Sequence, residues 1–171
     1  KGREAIVLMG QQNKFAVDTT EDASVFTAEN LKKYKAVIFL STTGNILDDT
    51  QQAAFQEYIR GGGGFVGIHA AADTEYDWPW YNQLVGAYFL SHPKQQSMEV
   101  AVHDKNHPAT AMLPDRWKRF DELYNYKSII MGINLYEAFA LICFIRAMPS
   151  RLGMLRSVIT ILTGCFSSFD S

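Results

Sequence analysis

The sequence predicts a three-layer α/β domain built on a mainly parallel sheet, and three observations carry that expectation. Two continuous apolar runs, "AVIFL" (36–40) and "FVGIH" (65–69), are bounded by turn residues, as strands buried on both faces must be. Segments of helical spacing precede each run, so helix and strand alternate along the first 128 residues. The composition, 47% hydrophobic and 20% charged over 171 residues, allows one core-bearing domain.

Taken in order, Arg3 to Gln12 places Ile6 and Met9 at helical spacing, and "KFAVDTT" follows as a short strand. Thr27 can cap a helix through Tyr34, which leads into "AVIFL". Asp48 with Gln51 three residues later forms a capping-box pattern for a helix through Arg60, with Ala53, Ala54, Tyr58 and Ile59 as its inner face. Gly61 to Gly64 end that helix, and "FVGIH" is the next buried strand. "MEVAV" (98–102) alternates like a half-buried strand. A doubly wound sheet normally opens with a central strand, whereas this chain opens on a helix and without Met, which predicts that a first strand has been lost upstream.

The last 43 residues differ. From Ile129 to Ser171 there is no lysine, and Glu137 and Asp170 are the only acids. "LYEAFALICFIRAM" and "LRSVITILTGCFSSF" are apolar with neither helical nor strand periodicity. Two readings stand side by side: a buried helix and strand that complete the core, or a tail foreign to the domain, as a reading-frame error would produce. The foreign-tail reading expects poor packing, exposed apolar side chains and association.

Several function classes are disfavoured. A net charge of -2 without a basic patch gives no footprint for nucleic acid. No stretch is long and apolar enough to span a bilayer, and "KGREAIVLMG" lacks the features of a secretory signal. Cys143 and Cys165 match neither a disulfide framework nor a zinc spacing.

The chemistry-bearing feature is Gly67-Ile68-His69-Ala70-Ala71, a strand end with the spacing of a nucleophile elbow. Small neighbours let the backbone turn sharply there, lifting the central side chain above the carboxyl ends of the strands. The plain alternative is a core histidine after a glycine-rich turn. A histidine at an elbow suits proton transfer near neutrality. Asp73, four residues on, falls on the same face of a helical turn and could orient the ring; otherwise it is an ordinary helix-terminus acid.

Long stretches resemble the ThuA-like, or trehalose-utilisation, family in order and spacing. They are "FLSTTGNILDDTQQAAFQEYIRGGGGF", "GGGGFVGIHAAADTEYDWPWYNQLVGAYFLSHP" and "HPATAMLPDRWKRFDELYNY", and the likeness covers residues 1–128. It implies a class I glutamine amidotransferase-like, flavodoxin-like fold, with His69 where glutaminases keep a cysteine. Imidazole cannot form the thioester of glutamine hydrolysis, so the resemblance implies a protein that is not a glutaminase. It also brings His92 of "LSHP" to the pocket of His69, and it implies a trehalose-related disaccharide or keto-sugar as substrate. The family typically opens with a strand and a glycine- and histidine-containing loop, and closes with a strand and a glycine–histidine motif. Neither is present in these residues, which leads us to expect a truncated start and an altered end.

The candidate catalytic residues are therefore His69, Asp73 and His92. Glu75, Tyr76, Asp77, Trp78, Trp80 and Tyr81 combine carboxylates with aromatic faces, as sugar sites do; equally, such rings could simply cover a sheet edge. Glu122, beside Asp121, is a further candidate for the pocket. His103 and His107 flank a turn before Pro108 and read as turn chemistry. No cofactor is identified; histidines and acids suit zinc, but no HExxH or CxxC spacing is present. The expected partner is a small carbohydrate, and the competing reading is a carbohydrate-binding or accessory module without catalysis.

Overall fold

The computed structural model describes residues 1–106, 110–127, 144–145 and 159–163. The chain forms a mixed α/β structure whose main sheet has the strand order β1-β11-β2-β4-β10. These strands are Val17–Thr20 (β1), Ala36–Leu40 (β2), Gly64–Ile68 (β4), Phe144–Ile145 (β10) and Ile159–Thr163 (β11). The first four in spatial order run parallel, and β10 pairs antiparallel with β4. β2 and β4 are adjacent and parallel, with Leu40 opposite Ile68, as their apolar runs predict. An interior place in the sheet, between β1 and β2, is held by β11, and β2 is the middle strand. The expectation of poor packing in the tail concerns side chains outside the described residues.

Period-two alternation along β2 sends its side chains to two different clusters. Val37 and Phe39 join Phe26, Leu31, Phe55, Phe65 and Tyr81 in the larger core. Ile38 and Leu40 pack with Ile6 of helix α1 (Gly2–Asn13), against Val17, Val66 and Ile68. Phe39 is central to an aromatic lattice, 5.3 Å from Phe65, 5.4 Å from Phe55 and 5.7 Å from Tyr81 between ring centroids. Each such pair adds about 0.5–1.5 kcal/mol beyond its buried area.

The larger core is covered by α2 (Ala28–Leu31), α3 (Asp49–Arg60) and α4 (Pro79–Val85). The Thr27 side chain accepts from Asn30 N as expected, but α2 ends at Leu31, short of Tyr34. On α3 the Asp48–Gln51 capping box is complete. Its inner face differs from expectation at two positions. Phe55 is fully buried and Ala53 is exposed, because the cluster on this face of the sheet needs a large ring to reach Phe26 and Phe39.

Three short ribbons complete the described structure. β3 (Thr43–Gly44) pairs parallel with β5 (Asp73–Thr74), and β6 (Phe89–Ser91) pairs antiparallel with β9 (Asn125–Tyr126). β7 (Gln96–Ala101) pairs antiparallel with β8 (Arg116–Asp121), so "MEVAV" contributes to a separate ribbon and not to the main sheet. Among the described residues no helix is long and apolar enough to cross a membrane.

Candidate active site

β4 ends at Ile68 and the chain turns at once through a short 3-10 segment, His69–Ala72. His69 has φ +55°, the left-handed region that costs a β-carbon-bearing residue on the order of 1–2 kcal/mol. The small neighbours are required by space. A β-carbon at Gly67 would meet the Ala71 β-carbon at 3.1 Å, and Ala71 and Ala72 are fully buried. The neighbouring strand end turns in the same way: Ser41, just after β2, has φ +53°, and its N–H donates to the Ile68 carbonyl at 3.0 Å. Two adjacent parallel strands thus finish in tight turns side by side, and the side chain of His69 stays 53% exposed.

Around that ring stand groups from the segment just before β9. The Tyr124 hydroxyl lies 3.0 Å from His69 Nδ1 and 3.3 Å from Nε2. A carboxylate oxygen of Glu122 is 3.7 Å from Nε2, and the other accepts from the Gln95 amide at 3.3 Å. His92 faces the same tyrosine, its ring stacked at 6.1 Å between centroids, while its Nδ1 meets the Pro93 carbonyl at 3.0 Å. Phe89 packs on Tyr124 at 4.5 Å. The fold therefore gathers His69, His92 and Glu122 around Tyr124. Burial raises the Tyr124 phenol above its ordinary pKa, and the charge of Glu122 pushes the same way, so it stays protonated at neutral pH.

Asp73 has a different partner. Its carboxylate takes the Tyr76 hydroxyl, over whose ring the Lys127 ammonium sits at 3.7 Å. Burial first, and then Asp73, raise the Tyr76 phenol as well. Glu75 is 1% exposed, with φ +54°; it accepts from Ile46 N at 2.7 Å, Leu47 N at 2.8 Å and Gln52 Nε2 at 2.8 Å. Asp77 is exposed and accepts from Asn45 at 2.9 Å. Trp78 and Trp80 pack on each other at 4.9 Å and on Phe55. Tyr81 is fully buried and donates to the Ala71 carbonyl at 2.8 Å. Among the described residues the ring contacts of Trp78, Trp80 and Tyr81 are with the core and one another, not with the histidines.

Tyr124 is the site residue that sequence reasoning missed. It follows the acid pair Asp121–Glu122 by two positions, and nothing local marks it, since its partner lies 55 residues away. His103 is exposed beyond β7, and His107 and Pro108 lie outside the described residues. Among the described residues no group of three or more His, Cys, Asp or Glu side chains is placed to hold a metal ion.

The ThuA family profile, described as trehalose utilisation, matches residues 1–136. The chain belongs to the ThuA family. A ThuA-like protein of Bacteroides uniformis, known from its crystal structure, is 31% identical with a TM-score of 0.63, over 74% of this chain and 54% of its own. A second ThuA-like crystal structure, from Parabacteroides merdae, is 24% identical with a TM-score of 0.54, over 64% of this chain and 49% of its own, and speaks for the fold. This ThuA chain thus spans about half the length of the solved relatives it matches. No curated protein matches it.

Proposed function

We propose that this ThuA chain carries the reactive histidine of a sugar-catabolising enzyme on a three-layer α/β scaffold, acting on a trehalose-related disaccharide or its keto form. The observation that carries the reading is His69 itself, held at φ +55° on a strand-end elbow and still 53% exposed. Strain maintained at an exposed histidine serves no packing purpose, and strained residues concentrate where chemistry occurs. The family's link to trehalose utilisation supports the substrate class.

In this reading His69 takes the proton from the carbon beside a sugar carbonyl, and the electron pair moves into the carbonyl as an enolate. Return of the proton at a neighbouring position isomerises the sugar. Expulsion of the glycosidic oxygen from the next carbon, with a proton delivered to it, cleaves the disaccharide. Glu122 stabilises the imidazolium, and His92 stands across Tyr124 to bind or protonate a sugar oxygen. An imidazole at the elbow offers no thiolate for acyl transfer, so glutamine is not the substrate.

Incubating the protein with 3-keto-trehalose should give turnover that His69→Ala reduces at least about a hundredfold, in line with general acid–base contributions. Equal turnover by the variant contradicts the assignment. Sugar binding in calorimetry without turnover, and unchanged in His69→Ala, would favour a carbohydrate-binding module instead.

A further inference from the structure

We propose that the Pro93 carbonyl fixes His92 as its Nδ1–H tautomer, so that His92 meets the sugar through Nε2 and from that nitrogen protonates the expelled glycosidic oxygen. The proposal rests on the reading of this site as one that cleaves a disaccharide, and three observations point to it.

First, one hydrogen bond assigns both ring nitrogens. His92 Nδ1 lies 3.0 Å from the Pro93 carbonyl oxygen. A carbonyl has lone pairs and no proton, so the hydrogen belongs to Nδ1, and the lone pair of the neutral ring belongs to Nε2. A free histidine side chain favours the opposite tautomer, so this bond reverses the ordinary preference. His69 has no such lock, since the Tyr124 oxygen, 3.0 and 3.3 Å from its two nitrogens, lies over the ring face and selects neither. Second, the contact is built into the sequence. A residue before proline is restricted to extended backbone, and proline fixes its own φ, which limits how far the His92 ring and the Pro93 carbonyl can part. Third, Nε2 is left over. Among the described residues it has no hydrogen-bond partner, and His92 is exposed. Its ring is still placed, stacked at 6.1 Å on Tyr124 and tilted at 5.9 Å against Phe89, so both histidines border one phenol.

The proton balance follows. His92 enters the cleavage step as imidazolium, with Nδ1–H on the Pro93 carbonyl and Nε2–H towards the sugar. As the carbon–oxygen bond breaks, its electron pair goes to the glycosidic oxygen, which takes the Nε2 proton. His92 is left neutral as the Nδ1–H form, the only tautomer that this loss can produce while the bond to Pro93 holds. The proton that His69 removed from carbon balances the one given to oxygen, and exchange with solvent resets both rings.

The test is nitrogen-15 NMR of the histidine rings in the whole chain, at a pH where they are neutral. Wild-type His92 should be the Nδ1–H tautomer, and Pro93→Gly, which frees the carbonyl, should return it towards Nε2–H. An Nε2–H tautomer in the wild type overturns the proposal before any variant is made. His92→Asn and His92→Gln then separate the two nitrogens, because the Asn amide reaches the place of Nδ1 and the Gln amide that of Nε2. His92→Asn keeps the donor to Pro93, so it should melt like the wild type while kcat on 3-keto-trehalose falls at least about a hundredfold. His92→Gln should keep KM near the wild-type value at similarly low kcat. Wild-type turnover by His92→Asn would show that the ring only braces its turn, and overturns the proposal. If the wild type gives no turnover at all, the cleavage reading fails on its own account. The contact through Nε2 is then decided by titrating the wild type with 3-keto-trehalose, which should move the Nε2 resonance of His92 far more than Nδ1; an unmoved Nε2 overturns it.

Discussion

His69 and Glu75 lie six residues apart with nearly the same strained backbone, φ +55° and +54°, yet their side chains stand in opposite surroundings. Glu75 is 1% exposed, and its carboxylate is filled by two backbone N–H groups and the Gln52 amide. It ties the segment before α3 to the turn after β5, and Tyr88 donates to its carbonyl at 2.5 Å. His69 is more than half exposed and stands beside a phenol and a carboxylate. A strained residue with every polar atom satisfied in the interior holds the fold together. In the proposed function, a strained residue whose ring is open to solvent beside other titratable groups is the one available for chemistry. The contrast also teaches that residue type alone does not mark a site: the Glu75 carboxylate is taken up by the fold.

The largest effect should come from breaking the interior member of the pair. Glu75→Ala removes the acceptor of three donors at once, and each buried donor left unpaired costs about 1–3 kcal/mol. A loss of at least about 3 kcal/mol in urea unfolding is expected; a loss below about 1 kcal/mol would show that Glu75 does not carry the segment it bridges.

How much of this was legible in the sequence depends on the range of the interaction. The Asp48–Gln51 capping box and the Gly67–Ala71 elbow are local, set by residues three or four apart, and both read correctly. The β2–β4 pairing was also legible, since each strand announces two-sided burial in its own composition. The inner face of α3 was not, because Phe55 is chosen by rings on β2 and before α2, which spacing along α3 does not reveal. Likewise Tyr124 meets His69 across 55 positions, which no local pattern reports. The placement of β11 between β1 and β2 depends on pairing across nearly the whole chain, which no local pattern reports.

An intermediate effect concerns three buried or half-buried phenols. Burial raises Tyr58, Tyr88 and Tyr126 to about 12, against an ordinary value near 10. The folded state therefore holds these protons more tightly than the unfolded chain. Their contribution is fully present below pH 10 and is lost as pH rises towards 12. Stability measured by urea unfolding should be level from pH 8 to 9.5 and decline steadily above 10. A decline that begins only beyond pH 12 would contradict the burial of these side chains.

The smallest change in stability, and the most direct test of the central claim, is His69→Gly. Glycine adopts φ +55° without the steric cost a histidine bears, so the elbow should relax. The account predicts that the melting temperature stays the same or rises, by the equivalent of up to about 1 kcal/mol, while turnover of 3-keto-trehalose disappears. A variant that melts lower than the wild type and keeps its turnover would show that His69, like Glu75, serves the fold.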